Sequence, residues 1–475
     1  MGKETRGKRK EGERYRYDGR NDTIPWNEEK VEWKERKEVV GMEPADEWNE
    51  KKEDGWEFED EWRKQTHHYF VFTNAGKPVF TRHGEEADLG SYFALMYALL
   101  SVAEDDGDQL ECVDTDSNRT VFAKEGPLYL VNVSPKQVPE AAARRHLRLL
   151  YKQLLAILTK GVEKTLVRRP GYDVRSLLGG TKPILASLLD SFSKNPGYAL
   201  GAMESLVWPS EMRRGAEAAV LAVAVPGAMC CMLLHNGRVV GLAEAKYCLF
   251  PVDDILLLSN FVTSGASLRE LENFSPICMP TYNPNSFLYV YVTYFGKETC
   301  LVVVSNMAEV FERLTSLRPR VENILNASKI THGLTHEAQM TIHIDDIPAL
   351  AGGGAIGSTP LWHFLHVHKP SQQYVKCEYR PPLYSDSARE EVCAVYQRMY
   401  FDVHSRRGAR TSAKPEYQVS DRFVTLVLLG TEFELYLICD PLTDQTTAMR
   451  VGNLLGNWLK TQEPLLYCSR KVFRL

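Results

Sequence analysis

The chain has 475 residues and 44% of them are apolar, which is long enough for several domains with buried cores. Its formal net charge of −5 gives no reason to expect nucleic acid as a partner. The amino-terminal sequence has no apolar signal core, and no run reaches the roughly 18 apolar residues of a transmembrane helix, so any membrane attachment is expected to be peripheral.

Residues 1–66 are predicted to form a disordered regulatory tail. More than half of these residues are charged, and such a segment buries too little apolar surface to offset the entropy of ordering its backbone. Tryptophan is nonetheless concentrated there, at Trp26, Trp33, Trp48, Trp56 and Trp62. We interpret the tryptophans as weak docking spots for a partner; the alternative is a tail without constraint.

A pair of apolar β-strands follows the tail in "HHYFVFTNAGKPVFTRHG" (67–84). The stretch "DLGSYFALMYALLSVAEDDG" (88–107), which is charged only at its two ends, is predicted to be a helix. Three short strands come next, and helices begin at Pro139. The same order returns around the Asn236-Gly237 hairpin turn, and a third time, more weakly, after residue 360. The repetition indicates an α+β protein of three similar domains.

The domain boundaries follow from this repeat. We predict a first domain at 67–200, a second at 201–340, a linker at 341–359 and a third domain at 360–475. The linker contains "GGGAIG", which formally matches a dinucleotide-binding fingerprint, but a strand rather than a helix follows it. A connecting segment is therefore the preferred interpretation, and an oxidoreductase or hydrolase that uses this segment remains an alternative.

No catalytic residue, metal site or cofactor is predicted. The ten cysteines form no CxxC pair and lie mostly in apolar runs, which indicates reduced core thiols. His366 and His368 lie on one strand face, but no further ligand completes a metal site beside them. The sequence has no nucleophile elbow, HExxH motif or kinase signature.

Helix 88–107 is apolar in almost every direction, with no charge from Leu89 to Ala103. A helix that lies on one sheet needs only one apolar stripe, so the pattern indicates burial on a second side. Either another part of the same chain or a partner chain covers that side.

Several segments resemble the Mon-one vacuolar fusion protein family. The hairpin 67–84 and "YDVRSLLGG" are similar to its first domain, "YCLFPVDDILLLSNFVTSG" to its second, and "FELYLICDPLTDQTTAMRVGNLLGNWLK" to its third. The resemblance implies three consecutive longin domains. Each would be an antiparallel five-stranded sheet with one helix on one face and one or two on the other.

The resemblance also implies a function. The expected partner is a Ccz-one-like tri-longin subunit, and the pair would act as a guanine nucleotide exchange factor for a late-endosomal Rab GTPase, in endosome maturation and vacuole or lysosome fusion. The first longin domains would form the GTPase platform, while the second and third would join the subunits and face an anionic or phosphoinositide membrane. The protein would be cytoplasmic and recruited to the late endosome or vacuole. A non-catalytic longin adaptor or tethering component is the alternative.

Three sets of residues are candidates for these contacts, each with ordinary packing or solvation as the alternative. Partner contact is assigned to Tyr92, Leu95, Met96 and Leu99. GTPase contact is assigned to Asn74, Lys77, Glu86 and Ser91. Lipid contact is assigned to Arg144, Arg145, Arg148 and Lys152, with Arg406, Arg407 and Arg410 as a second basic set.

Overall fold

The computed structural model describes residues 62, 64–86, 88–265, 268–269, 272–330, 341–351, 359–406 and 415–473. Most of the predicted tail, including Trp26, Trp33, Trp48 and Trp56, lies outside the described residues. The same holds for the glycine-rich segment 352–357 and for Arg407 and Arg410.

The first domain is a five-stranded antiparallel sheet with helices on both faces. Its elements are β1 (His68–Thr73), β2 (Pro78–Thr81), α1 (Gly90–Asp105), β3 (Cys112–Asp114), β4 (Asn118–Glu125), β5 (Leu128–Pro135), α2 (Glu140–Leu158), α3 (Gly161–Arg168), α4 (Lys182–Ser191) and α5 (Gly197–Leu200). Every residue of β1 is buried, because α1 covers one face of the sheet and α2 covers the other.

The second domain repeats this arrangement. Its elements are β6 (Met203–Glu204), α6 (Ser210–Leu221), β7 (Ala228–His235), β8 (Arg238–Glu244), α7 (Val252–Ser264), β9 (Asn273–Met279), β10 (Asn283–Phe295), β11 (Thr299–Ser305) and α8 (Phe311–Ala327). The predicted hairpin between β7 and β8 is present. Asn236 and Gly237 both have positive φ, at 48° and 75°, as the tight turn requires.

The third domain follows the same plan. Its elements are α9 (Pro348–Ala351), β12 (Leu361–His368), β13 (Gln373–Lys376), α10 (Asp386–Arg406), β14 (Glu416–Val419), β15 (Val424–Leu429), β16 (Phe433–Cys439), α11 (Gln445–Leu466) and β17 (Arg470–Val472). Its core lies on both faces of the sheet, under α10 on one side and α11 on the other.

Strand order is the same in all three sheets. The first reads β2-β1-β5-β4-β3, and the equivalent antiparallel strands of the others read β8-β7-β11-β10-β9 and β13-β12-β16-β15-β14. The predicted α+β class and the threefold repeat are therefore confirmed. The second and third sheets each gain a sixth strand, which the sequence pattern did not predict.

The extra strands are exchanged between the second and third domains. β6 precedes the second domain but pairs in parallel with β13 of the third, while β17 follows the third domain but pairs in parallel with β8 of the second. Ser205 also bridges to Val239 of β8, so the segment 203–205 joins the two sheets at their edges. The predicted domain boundaries therefore do not separate the strands completely. The sheet of the third domain includes β6, which lies in the range predicted for the second domain, and the sheet of the second domain includes β17, which lies in the range predicted for the third.

The exchange makes Phe473 a core residue of the second domain, with 4% of its surface exposed. We expect Phe473→Leu to lower the free energy of unfolding by about 1 kcal/mol, because the smaller side chain fills the site incompletely. Hydrogen exchange should rise at residues 242–244, which pair with β17, and stay unchanged in β15. Equal increases in hydrogen exchange in both strands would contradict the exchange of strands between the two domains.

The predicted linker 341–359 needs correction. Its first part is folded onto the third domain, where Ile342, Ile344 and Ile347 are buried, and the amide of Glu378 donates to the carbonyl of Ile342. These three apolar side chains explain the packing, because exposing them would leave apolar surface in water.

All ten cysteines are free thiols, and most are buried. The rings of His366 and His368 each contact a hydroxyl, of Tyr467 and Ser371 respectively, at 2.5 Å and 2.7 Å. Within the described ranges, no helix is long and apolar enough to cross a bilayer.

Candidate partner-binding surface

Helix α1 has an inner face that packs on its own sheet. Phe93, Met96 and Leu100 are buried there, and the ring of Phe93 lies 5.5 Å from that of Phe70 and 5.9 Å from that of Phe72. These residues follow the three- and four-residue spacing of one helix face. The first domain therefore uses only part of the apolar surface of α1.

The opposite face of α1 is apolar and exposed. We call Tyr92, Leu95, Leu99 and Val102 the outer stripe; their exposed fractions are 36%, 59%, 46% and 64%. They recur at intervals of three or four residues, so they form one continuous line along the helix. A contiguous apolar line of this kind on a folded surface is typical of an interaction site.

Helix α7 occupies the equivalent position in the second domain and is also nearly uncharged, but its own chain covers it. Nine of its thirteen residues are buried. The side-chain amide of Asn260 donates to Gln153 Oε1 of α2 at 3.1 Å and to the carbonyl of Ile184 in α4 at 3.0 Å. Both interpretations of an apolar helix thus occur in one chain: intrachain burial for α7 and an uncovered face for α1.

The partner assignment of Met96 needs correction, because this residue points into the sheet and is 8% exposed. Its neighbours Tyr92, Leu95 and Leu99 lie on the outer stripe. The uniform apolar sequence of α1 gave no signal that separates Met96 from them. Val102 was missed, although it extends the same spacing by one step.

Trp62, the last of the tail tryptophans, lies at one end of this surface. Its ring centroid is 4.0 Å from that of His68 and 5.0 Å from that of Tyr92. Burial and the nearby His83 lower the pKa of His68 to about 4, so the histidine is neutral at physiological pH. The short ring distances show that Trp62 and Tyr92 form an aromatic group at the first turn of α1.

The predicted GTPase-contact residues divide into exposed and buried members. Asn74 and Lys77 are exposed on the turn between β1 and β2, which packs against the ring of Tyr97, and Ser91 is exposed at the start of α1. Glu86 is buried and is paired with Lys182 Nζ at 3.0 Å. Its assignment as a contact residue is therefore corrected to an intramolecular ion pair.

A row of charged residues lies beside this hairpin, and of its members only Lys77 was a candidate from the sequence. The segment Val174–Leu177 packs next to β2, and Lys77 Nζ donates to the carbonyl of Gly171 at 2.5 Å. Arg175 binds Asp173 through two hydrogen bonds of 3.0 Å and 2.8 Å, and these lower the pKa of Asp173. We call Lys77, Asp173, Arg175 and Lys182 the charged row. The only signal for it was the motif "YDVRSLLGG".

The predicted lipid contacts also divide. Arg145 and Lys152 both bind Asp253 of the second domain, with Lys152 Nζ 2.6 Å and Arg145 Nη1 2.9 Å from Asp253 Oδ2. Their assignment to lipid is wrong, since these three side chains are largely buried between two domains. Arg144 is paired with Glu111 and Glu140, while Arg148 is exposed.

Family models match each of the three domains. The models of the first, second and third longin domains of FUZ, MON1 and HPS1 match residues 67–188, 227–322 and 360–463. The vacuolar fusion protein MON1 homolog of Arabidopsis thaliana is 32% identical over 424 residues, which cover 85% of this chain and 69% of that protein. The chain belongs to the MON1 family of vacuolar fusion proteins.

Other MON1 proteins extend the similarity. The Oryza sativa homolog is 31% identical over 85% of this chain and 75% of its own length. The human MON1 homolog B is 27% identical over 86% of this chain and 77% of its own length. The resemblance stated from the sequence is therefore confirmed, as is the prediction of three consecutive longin domains.

Proposed function

We propose that this MON1-family chain is one subunit of a heterodimeric guanine nucleotide exchange factor for a late-endosomal Rab GTPase. Its partner is a Ccz-one-like tri-longin subunit that covers the outer stripe of α1. The observation that carries the proposal is the contrast between α7, which α2 and α4 cover, and α1, whose four apolar side chains remain exposed. A matching helix of a second longin domain has the shape and chemistry to cover that stripe.

The polar residues of the first domain suit the requirements of nucleotide exchange. An exchange factor makes no covalent bond; it binds the nucleotide-free GTPase more tightly than the GDP-bound form and so accelerates GDP release. Such a task needs a shaped polar surface beside a stable dimer. Asn74 and the charged row supply polar groups next to the hairpin, and we assign GTPase contact to this surface.

The cellular setting belongs to the same proposal. The complex acts in endosome maturation and in vacuole or lysosome fusion, as a cytoplasmic protein recruited peripherally to an anionic or phosphoinositide membrane. Of the four basic positions first assigned to lipid, Arg148 is exposed, and it keeps that assignment. The family's connection with vacuolar fusion supports this setting.

The direct test is the release of a fluorescent GDP analogue from a panel of Rab proteins. We expect the complex of this chain with its partner to accelerate release from one late-endosomal Rab, and each subunit alone to leave the rate unchanged. Arg175→Glu in the charged row should lower the acceleration by roughly tenfold without loss of pairing, because it reverses a charge at the proposed contact. An unchanged GDP release rate with every Rab would identify an adaptor or tethering component instead.

A further inference from the structure

A cavity of about 450 Å³ lies at the joint between the second and third domains. It is bordered by the exchanged strand β6 together with β8 and β13, and the residues that matter for its chemistry are Glu204, Ser205, Arg238, Lys376, Tyr379 and Arg389. Its volume falls within the range of small-molecule sites. Nothing in the proposed exchange mechanism uses this cavity.

Three cationic side chains, Arg238, Lys376 and Arg389, line the cavity. Burial would lower the pKa of Lys376, but the charge of Glu204 outweighs burial and the pKa is raised, so the ammonium group stays charged. The remaining lining carboxylate, that of Glu378, accepts a hydrogen bond from the ring of His343. Arg238 and Arg389 add two further cations to the lining, and Arg389 Nη1 lies 3.4 Å from Asp386, which is outside the lining. Both lining carboxylates have partners, Lys376 for Glu204 and His343 for Glu378.

Two buried donors in this lining have no hydrogen-bond acceptor among the described residues. They are the hydroxyl of Ser205, a residue that is 5% exposed, and Nε of Arg389. Buried polar groups nearly always have partners, so two orphan donors in one cavity require an explanation. Both groups donate hydrogen bonds, and an anion with several acceptor oxygens would satisfy both.

The ring of Tyr379 positions the cations. Lys376 Nζ lies 5.9 Å and the Arg389 guanidinium carbon lies 5.4 Å from the centroid of this ring. Cation–π contacts of this kind hold charged side chains in place without consuming their hydrogen-bond donors. Lys376 also pairs with Glu204 at 3.3 Å and Arg389 with Asp386 at 3.4 Å, and each cation has further N–H donors beyond that carboxylate contact.

We propose that this cavity binds a phosphate monoester. A tetrahedral dianion offers enough acceptor oxygens for the Ser205 hydroxyl, the Arg389 guanidinium and the Lys376 ammonium group, and charge-assisted bonds from arginine and lysine favour it. The volume leaves room for a small polar group attached to the phosphate. Because Ser205 and Arg238 come from segments bound to the second domain and Lys376 and Arg389 from the third, the ligand would bridge both domains.

Isothermal titration calorimetry on the full-length chain tests the proposal, with sodium phosphate, glycerol 3-phosphate and vesicles that contain phosphatidic acid as probes. Sodium chloride at equal ionic strength and phosphatidylglycerol vesicles, whose phosphate is a diester, are the references. Binding of glycerol 3-phosphate identifies a free ligand, and binding of only the phosphatidic acid vesicles identifies a lipid headgroup. Absence of binding to sodium phosphate, glycerol 3-phosphate and phosphatidic acid vesicles alike, or equal binding to the references, overturns the proposal.

Two variants assign any binding to the cavity. We expect Ser205→Ala to weaken binding roughly fivefold and Arg389→Gln roughly thirtyfold, since the first removes a neutral donor and the second a charged one. Ser205→Ala should leave thermal stability unchanged, because the hydroxyl has no hydrogen-bond partner among the residues that the structure describes. Arg450→Gln, an exposed helical arginine on α11, is the matched control and should bind like the wild type. Binding that survives Arg389→Gln unchanged would also overturn the proposal.

Discussion

The double substitution Leu95→Asp and Leu99→Asp is expected to abolish co-purification with the Ccz-one-like subunit and to leave the melting temperature of the isolated chain unchanged. Both side chains are about half exposed on the outer stripe, so the change places charge in water while the subunit is alone. In the complex the same carboxylates would be buried without partners, at a cost of several kcal/mol. The affinity should fall by roughly a thousandfold or more, which a pull-down and analytical ultracentrifugation will detect.

Two variants serve as controls for this result. Leu454→Asp changes a leucine on α11 that is 40% exposed, close to the exposure of Leu99, and should leave pairing intact. Met96→Asp should unfold the first domain, because it places a carboxylate between α1 and its own sheet. If the double variant pairs like the wild type, the outer stripe is not the dimer surface.

The contrast between α1 and α7 shows how far the sequence could predict this site. Both helices are nearly free of charge, and their sequences alone predict only that each is covered on two sides. Which chain provides the cover depends on how α2 and α4 of the first domain dock on α7, a contact between residues about a hundred positions apart. The helical period therefore identified the candidate surface, and tertiary packing decided between its two interpretations.

Short segments explain the largest error in the fold. Most of the antiparallel strands could be predicted from apolar runs and turn signals, whereas β6 has two residues and β17 has three. Such lengths are too short to display a period-two pattern. Their pairing also joins regions more than 160 positions apart, so no local signal could reveal the exchange.

The charged residues of helix α2 show a similar limit to what the sequence alone can predict. Arg145 and Lys152 are seven positions apart, so the helical period places them on one face, and the sequence indicates a basic face there. A free basic face suggests lipid or solvent, but this one lies against the first turn of α7. The acid that pairs with it, Asp253, lies in the first turn of α7, where a negative charge is favourable for the helix itself, so its sequence position gives no sign of a second role.

Asp253 is expected to be the residue whose charge matters most for the joint between the first and second domains. Burial would raise its pKa, but the hydrogen bonds and charges of Arg145 and Lys152 outweigh burial, so its pKa is lowered. All three side chains are less than a fifth exposed, so water screens the two ion pairs weakly. This ion group ties the proposed GTPase platform to the second domain.

Asp253→Asn should lower the free energy of unfolding by about 3–5 kcal/mol at pH 7, because it leaves two largely buried cations without a counter-charge. Urea unfolding monitored by tryptophan fluorescence and circular dichroism measures the change. The matched control is Asp190→Asn, which removes the half-exposed partner of Arg82 and should cost less than about 1 kcal/mol. Equal urea midpoints for the wild type and Asp253→Asn would contradict the assignment.

The pH dependence of the difference in unfolding free energy between wild type and Asp253→Asn distinguishes a lost charge from lost packing. A carboxylate whose pKa is lowered in the folded state stabilises that state above the unfolded pKa of about 4, and this stabilisation is lost as the pH falls through the folded value. The gap in unfolding free energy between wild type and Asp253→Asn should thus be constant from pH 8 to about pH 5 and should shrink below about pH 4. Since asparagine has the size of aspartate but does not titrate, a gap that persists unchanged in acid would indicate lost packing and not a lost ion group.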